Sequence, residues 1–343
     1  MARQFLLQHC GYIYLQRSVL GHADMLIGMC KFNYCAFFLQ IGFTARGFLY
    51  FCEIIVIRNL MVKGISGWSA SLGATLKSLV KMAVQSRRTT VGKRDVAMAD
   101  SLIILGNGPS LRDTISDYPD LLVRYPLLAV NFAANTPEFL SLKPRYYVLV
   151  DPAFFKENPD DNVKTLWWNL GSVVTWRMTL FLPAAEASRV PEEVRRRVDI
   201  RKFNPVGVGG FRWFRHKMYD WGLGMPRPRN VLIPSIMLGM QLGYRRIFIT
   251  GADHSWSRTL EVNDRNEVVS IQPHFYTDDR KELDRVAAIY RNVRLHEIMY
   301  SFHVAFKSYF DIEKYARGRG VEIYNATPGS FIDAFARRQL RDI

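Results

Sequence analysis

Short apolar runs alternate with longer amphipathic segments along the chain from residue 101 onward. The short runs have the length of buried strands, and the longer segments repeat their apolar positions at the spacing of helices. This alternation predicts an α/β fold: a Rossmann-like, doubly wound, mainly parallel sheet with helices on both faces. The predicted strands are 101–106, 127–131, 145–151, 172–182, 246–251 and 321–325, and the predicted helices are 109–124, 186–199, 230–243 and about 279–318.

The first hundred residues follow a different pattern. Residues 23–57 are strongly apolar, and the window from 23 to 45 has only Asp24 and Lys31 as charges. A transmembrane helix needs about 20 mostly apolar residues. We therefore expect membrane association, through one span or through a pair of interfacial helices. A soluble helical subdomain packed on the rest of the chain is one alternative, and a true start further downstream is the other.

A basic stretch follows the apolar one, with no acidic residue between Glu53 and Asp95. Positive charge beside an apolar segment indicates the cytoplasmic side and attraction to anionic lipid headgroups. The pattern predicts a protein at the cytoplasmic face of a membrane, peripheral or single-span. Residues 1–97 are its apolar, basic helical segment with a solvated linker, and residues 98–343 are its main domain. The basic residues of the stretch are Lys63, Lys77, Lys81, Arg87, Arg88, Lys93 and Arg94.

Composition and charge narrow the function classes. With 49% hydrophobic and 22% charged residues the chain is typical of globular proteins, and its formal charge of +15 favours acidic partners. Because no nucleic-acid-binding motif accompanies the charge, we expect no nucleic-acid partner. The four cysteines all lie before residue 53 and form no CxxC pair, so zinc chemistry has no support.

Short polar side chains stand at or just beyond the end of five predicted strands. In a doubly wound sheet the ligand binds at the carboxyl ends of the strands, so these side chains would meet in one crevice. Each alone is equally typical of a turn, because Asn and Asp favour turns. The five residues are Asn107, Asn131, Asp151, Asp253 and Asn325.

The loop Gly106-Asn107-Gly108-Pro109-Ser110 joins a predicted strand to a predicted helix. Glycines allow a sharp turn, and backbone N–H groups at a helix start hold phosphate oxygens. The loop is neither GxGxxG nor a Walker loop, since no Gly-Lys-Ser/Thr follows. It predicts a phosphate site, with a simple strand-to-helix turn as the alternative.

Several segments together resemble a known family. ILGNGPSL, VNFAAN, VLVDPAFF, LGYRRIFITGADHSW and VEIYNATPGSF look like the bacterial sialyltransferase family that decorates lipooligosaccharide. They also resemble the wider hydroxymethylpterin-pyrophosphokinase-like family (domain of unknown function 115), which includes flagellin-glycosylating motility-associated factors. The resemblance spans most of residues 101–331, with a weak match over 156–225.

The resemblance implies a cytidine monophosphate sugar as donor. Asp151 stands where the family has an asparagine before proline, which leaves the donor's identity open. The family's general base is a histidine 25 residues before the proline of the final loop, and counting back from Pro328 gives His303. The implied donor-binding residues are Gly106, Asn107, Gly108, Pro109, Ser110, Asn131, Asp151, Asn325 and Thr327.

His303 also has a chemical interpretation of its own. It lies in a long amphipathic helix, where a histidine near its free pKa could accept a proton from an acceptor hydroxyl. An ordinary helix histidine is the alternative. Asp253, His254 and His274 are acceptor-side candidates, and we predict no metal site because these residues fall short of a ligand set.

Two enzyme classes follow from these features. The first is a glycosyltransferase that moves a sugar, plausibly a nonulosonate, from a nucleotide-activated donor to a surface-glycan acceptor without a tightly bound cofactor. The second is a hydroxymethylpterin-type pyrophosphokinase, which would need ATP and magnesium held by carboxylates such as Asp151 and Asp253.

Overall fold

The computed structural model describes residues 67–94, 99–269 and 293–343. The chain divides into two compact units, Met1–Ser71 and Leu72–Ile343, and the sheet belongs to the second. Within the described ranges, no helix is long and apolar enough to cross a membrane. Residues 23–57, on which the membrane prediction depends, lie outside the described residues, so that prediction stays open.

The elements alternate between strands and helices along the chain, as the sequence predicted. The strands are β1 (Ser101–Leu105), β2 (Leu127–Val130), β3 (Tyr146–Val148), β4 (Thr179–Pro183), β5 (Asp199–Phe203), β6 (Arg246–Thr250), β7 (Glu261–Val262), β8 (Val268–Val269), β9 (Glu322–Asn325) and β10 (Ala336–Arg337). The helices are α1 (67–85), α2 (Ser110–Asp117), α3 (Pro119–Leu122), α4 (Glu138–Leu142), α5 (Asp161–Trp168), α6 (Glu192–Arg197), α7 (Arg212–Asp220), α8 (Leu232–Leu242) and α9 (Leu295–Arg317).

Eight strands form one sheet in the order β10-β9-β6-β1-β2-β3-β4-β5. Every neighbouring pair in it is parallel. β7 and β8 form a separate antiparallel pair. The predicted mainly parallel α/β sheet is therefore confirmed.

Helices cover both faces of this sheet because the chain reverses direction across it. From β1 to β5 the chain steps one way and places α2 to α6 on one face; it then returns to β6 and β9 and places α7 to α9 on the other. Right-handed crossovers require this switch of face. Alternate residues of β1 accordingly enter different cores, Leu102 and Ile104 packing with α8 and α9, and Ile103 and Leu105 with α2 and α3.

Residues 72–94 belong to the same compact unit as the sheet. Met82 and Val91 are buried in the core on the α8 face. Thr90 exchanges two hydrogen bonds with Lys202 of β5, its amide donating to the Lys202 carbonyl at 2.9 Å and its Oγ1 accepting from the Lys202 amide at 3.0 Å. The interpretation of 86–100 as a solvated linker is wrong for residues 86–94, because Thr90 pairs with the edge strand β5, Val91 is buried and the Arg94 amide donates to the Leu242 carbonyl of α8.

Three element predictions need correction. The segment 186–199 holds a 3₁₀ turn (Ala187–Arg189) and the short α6 in place of one helix. It leads directly into β5, whose DIRKF sequence is too polar at this sheet edge to stand out as a strand. β4 begins at Thr179, not at 172, because α5 runs on as a π-helical turn through Asn169–Val173. The last helix starts at Leu295, and the predicted part before 293 lies outside the described residues.

These contacts predict where the folded unit can be cut. A fragment 72–343 should unfold cooperatively, whereas 98–343 loses the burial of Met82 and Val91, at about 1.5–3 kcal/mol per side chain. We expect the shorter fragment to have a clearly lower urea midpoint by circular dichroism. Equal midpoints for the two fragments would contradict the inclusion of 72–94 in the unit.

Candidate active site

The strand order reverses between β1 and β6, and we call the region at the carboxyl ends of these two strands the crevice. β1 lies between β2 and β6, and the chain leaves it in one direction and returns on the other side. This is the topological switch point, where doubly wound folds bind ligands. Ile104 of β1 is in register with Leu128 of β2 and Ile249 of β6. Asn107, Asn131 and Ala252 each follow three residues further along the chain, just beyond the ends of these strands.

The loop after β1 is hydrogen-bonded to the loop after β6. The Gly106 amide donates to the Thr250 carbonyl, and the Gly108 amide donates to the Gly251 carbonyl, both at 2.7 Å. These two amides are therefore not offered to a phosphate, and Pro109 has no N–H at all. The predicted backbone cradle is therefore wrong for Gly106, Gly108 and Pro109.

Glycine is required at three positions where the loops after β1 and β6 pack closely. A Cβ on Gly106 would lie 2.7 Å from the carbonyl carbon of Gly251, and one on Gly108 would lie 2.8 Å from the Gly251 oxygen and collide with the Asp253 carboxylate. Gly251 has a φ of +66°, which favours glycine, and a Cβ there would lie 2.8 Å from Cβ of Leu111. Close packing of two loops, and not the approach of a ligand, explains all three glycines.

Asp253 belongs to this loop pair. Ser110 Oγ donates to Asp253 Oδ2 at 2.8 Å, which ties the start of α2 to the end of β6. On its other side the loop is held by the segment after β9, since the Phe331 amide donates to the Asp253 carbonyl at 2.9 Å and Ser330 Oγ donates to the Ala252 carbonyl at 2.6 Å. Asp253 was predicted on the acceptor side, and the structure places its carboxylate beside Gly108 and Ser110.

Asn325 and Thr327 lie beneath the crevice and do not line it. Asn325 is only 1% exposed, and it donates to Ser330 Oγ and the Ile332 carbonyl while its Oδ1 accepts from the Thr327 amide, all at 3.0 Å. Thr327 is 2% exposed, and its Oγ1 accepts from the Ala252 amide at 3.1 Å. Both residues shape the final loop, so their predicted contact with a donor is not supported.

The ends of β2 and β3 contribute differently. Asn131 has a left-handed φ of 52°, and its carbonyl accepts from the Tyr147 hydroxyl at 2.6 Å. A non-glycine residue in this region is strained, and such strain is concentrated at functional sites. Asp151 is exposed and accepts from the Ala153 amide at 2.8 Å, so it caps the short helical turn next to it in the chain.

His254 is part of a polar network between α8 and α9. Its Nε2 lies 2.6 Å from the Tyr309 hydroxyl, which also lies 3.1 Å from Asn230 Oδ1. Asn230 in turn accepts from the Leu232 amide at 3.1 Å at the start of α8. Desolvation lowers the pKa of His254 to about 3 and raises the pKa of Tyr309.

The imidazole of His254 is therefore neutral at physiological pH and a weak proton acceptor. It has the left-handed φ of 51°, and its ring is 4.1 Å from that of Trp256. Since the unfolded chain binds a proton near pH 6.5 and the native state only near 3, this group lowers stability as pH falls through that window. The geometry fits a residue that positions the Asp253 loop, in place of the predicted acceptor contact.

His303 lies on the exposed side of α9. Its ring stacks with that of Tyr300, with centroids 6.4 Å apart. The preceding residue, Phe302, packs on Trp256 at 5.4 Å, so this turn of α9 borders the loop after β6. His303 is turned about 100° around the helix from that contact. This contact brings the turn of α9 that carries His303 next to the loop after β6, while His274 lies outside the described residues.

The two carboxylates proposed for magnesium stand on separate strands. β3, which precedes Asp151, and β6, which precedes Asp253, have β2 and β1 between them. Three strand spacings amount to about 14 Å, too far for one Mg²⁺ that binds oxygens at about 2.1 Å. Among the described residues, no group of three or more His, Cys, Asp and Glu side chains could hold a metal ion.

Comparison with known proteins gives a distant structural match and shows no family. No protein-family model and no curated protein matches the chain. A solved structure of a MAf glycosyltransferase from Magnetospirillum magneticum AMB-1 matches with a TM-score of 0.43 and 13% identity. The match covers 85% of this chain and 42% of that one, so the chain spans less than half of that protein's length. Function is therefore argued from the site itself.

The loop packing predicts a loss of stability at Gly106. Gly106→Ala should lower the free energy of unfolding by about 1–3 kcal/mol or more, because its Cβ meets the Gly251 backbone. Gly318→Ala is the matched control, since it has a helical φ of −66° and an added Cβ would lie at an ordinary 3.5 Å. Urea unfolding measures both. A stable Gly106→Ala variant that has lost only ligand affinity would instead assign the glycine to ligand approach.

Proposed function

We propose that the domain is a glycosyltransferase that uses a nucleotide-activated sugar and transfers it to a glycan hydroxyl. The observation that carries this proposal is the packing of the loop after β1 against the loop after β6 at the switch point. There the Ser110 hydroxyl donates to the Asp253 carboxylate. The resemblance of the same loops to the lipooligosaccharide sialyltransferase family supplies the reaction class. A cytidine monophosphate sugar, plausibly of a nonulosonate, is the donor that this resemblance favours.

The polar row along the crevice suits a nucleotide in size and chemistry. From Asp253 across Asn107 and Asn131 to Asp151 the row spans about 14 Å. Carboxylates accept hydroxyl hydrogens, so Asp253 suits sugar or ribose hydroxyls. The side-chain amides of Asn107 and Asn131 offer N–H donors to phosphate or base, and the amino end of α2 favours negative charge nearby.

The acceptor hydroxyl requires a base, and His303 is the residue that we propose for it. It is exposed to solvent and follows Phe302, whose ring contacts Trp256 of the loop after β6. His254 is a poor candidate because its low pKa gives little driving force for proton transfer. The departing nucleotide phosphate would be held on the opposite side of the row, away from α9.

A nucleotide screen tests the donor site. Cytidine monophosphate should raise the melting temperature of the full-length protein, whereas ATP with magnesium should not. Asn107→Asp should weaken cytidine monophosphate at least about tenfold, because a second carboxylate beside Asp253 repels phosphate. Asn266→Asp on the exposed β7–β8 turn makes the same charge change and should leave the shift intact. Stabilisation by ATP with magnesium alone would favour the pyrophosphokinase.

Measuring turnover with a sugar donor of the nucleotide found in that screen tests whether His303 is the base. His303→Ala should lower turnover by about 10²–10⁴-fold with donor affinity unchanged, the usual effect of losing positioned proton transfer. His296→Ala is the matched control, because His296 is also exposed and lies two turns earlier on α9. If both variants retain wild-type turnover, His303 is not the base; if both lose it in proportion to their folded fraction, its role is structural.

A further inference from the structure

A basic pocket lies at the opposite end of the sheet from the candidate active site. It has a volume of about 170 Å³ and is lined by Lys93, Arg94, Arg145, Tyr146, Arg177, Thr179 and Arg201. Arg145 lies one residue before β3 and Arg177 two residues before β4, so the pocket opens at the amino ends of the strands. Since β1 has five residues at about 3.3 Å each, roughly 15 Å of sheet separates this pocket from the crevice.

Five of its seven lining residues are cations and none is a carboxylate. Two carboxylates lie against these cations: Asp100 pairs with Arg94, and Asp199 pairs with Arg201 at 2.8 Å and accepts from the lining Thr179 Oγ1 at 3.4 Å. Five cations against two carboxylates leave an excess of three positive charges around the pocket, counted over the described residues. Like charges gathered around one pocket repel one another, and a bound anion relieves that repulsion.

Two of the five cations, Arg145 and Arg201, are held in place by hydrogen bonds to neighbouring residues. Arg145 Nη1 donates to the Arg177 carbonyl at 3.2 Å and to Thr179 Oγ1 at 3.3 Å. Arg201 Nη1 donates to the Val91 carbonyl at 2.7 Å. Gly92, with a φ of +72°, passes so close that a Cβ there would collide with the Arg201 guanidinium. Guanidinium groups fixed in this way lose little side-chain entropy when a ligand binds.

The floor of the pocket is formed by buried residues. Tyr146 and Thr179, the first residues of β3 and β4, are 2% and 1% exposed. The Tyr244 hydroxyl donates to the Tyr146 hydroxyl at 3.0 Å, which fixes Tyr146 beside the pocket. Because each arginine carries five N–H donors, Arg145 and Arg201 retain donors beyond the contacts to Thr179, Val91 and Asp199.

We propose that this basic pocket binds a phosphate or diphosphate group. Planar guanidinium forks match the oxygens of a phosphate, and several of them around one cavity favour a multiply charged anion. Sites for drug-sized ligands occupy about 300–1,000 Å³, so a pocket of 170 Å³ suits the charged group alone. A free phosphate compound and a phospholipid headgroup share this chemistry. The site is independent of the proposed transferase reaction.

Titration of the full-length protein with inorganic diphosphate tests the pocket, at a constant ionic strength set with sodium chloride. The wild type should bind it, and Arg177→Gln and Arg145→Gln should each weaken binding at least about tenfold. Arg196→Gln is the matched control, because Arg196 is an exposed arginine of α6 that pairs with Glu192 away from the pocket. Arg177 is exposed, so its variant keeps the test valid if Arg145→Gln unfolds.

Two further experiments test where the anion binds and whether the phosphate group comes from a free compound or from a lipid. Asn107→Asp alters the crevice and should leave diphosphate binding unchanged. Loss of diphosphate binding in that variant would place the anion in the crevice and overturn the proposal. Sedimentation with phosphatidic acid vesicles, compared with phosphatidylcholine vesicles, tests the lipid source. Vesicle binding that disappears in Arg177→Gln, without binding of free diphosphate, supports a headgroup as the ligand. Binding of neither probe, or equal binding by Arg177→Gln and the wild type, overturns the proposal.

Discussion

The close approach of the loops after β1 and β6 is the constraint on which the candidate active site depends. Two backbone hydrogen bonds, from Gly106 to Thr250 and from Gly108 to Gly251, join the loops where the sheet reverses its order. A side chain at either glycine would force them apart. The same approach brings the Asp253 carboxylate to Ser110, so the site's central polar pair exists only because the two loops pack.

The β6 loop is also held from the other two directions. The segment after β9 binds it through Thr327, Ser330 and Phe331, and the His254–Tyr309–Asn230 network ties it to α8 and α9. A loop fixed on three sides can keep His254 in a strained backbone conformation without relaxing. Buried polar residues that looked like ligand contacts in the sequence are in this way committed to holding the loop.

The two ends of the sheet differ in electrostatic character. The carboxyl end carries the amides of Asn107 and Asn131 with the carboxylates of Asp151 and Asp253, which suits neutral hydroxyls and a modest negative charge. The amino end gathers arginines from separate strands and loops into one pocket. The chain's excess of positive charge is therefore partly concentrated at the end of the sheet remote from the proposed transferase chemistry.

The sequence by itself determined the α/β class, four of the central strands to within a few residues and the ends of strands at which Asn107, Asn131 and Asp253 stand. Local patterns suffice for these because apolar periodicity and turn residues act over a few neighbours. The tertiary structure alone decided which amides are already donated, that Asn325 and Thr327 are buried and that His254 is neutral. It also decided that Thr90 pairs with the sheet edge and that five cations converge at the amino end of the sheet. These properties depend on contacts between residues up to about 150 positions apart, such as Arg94 with Gly243, and no local pattern encodes such contacts.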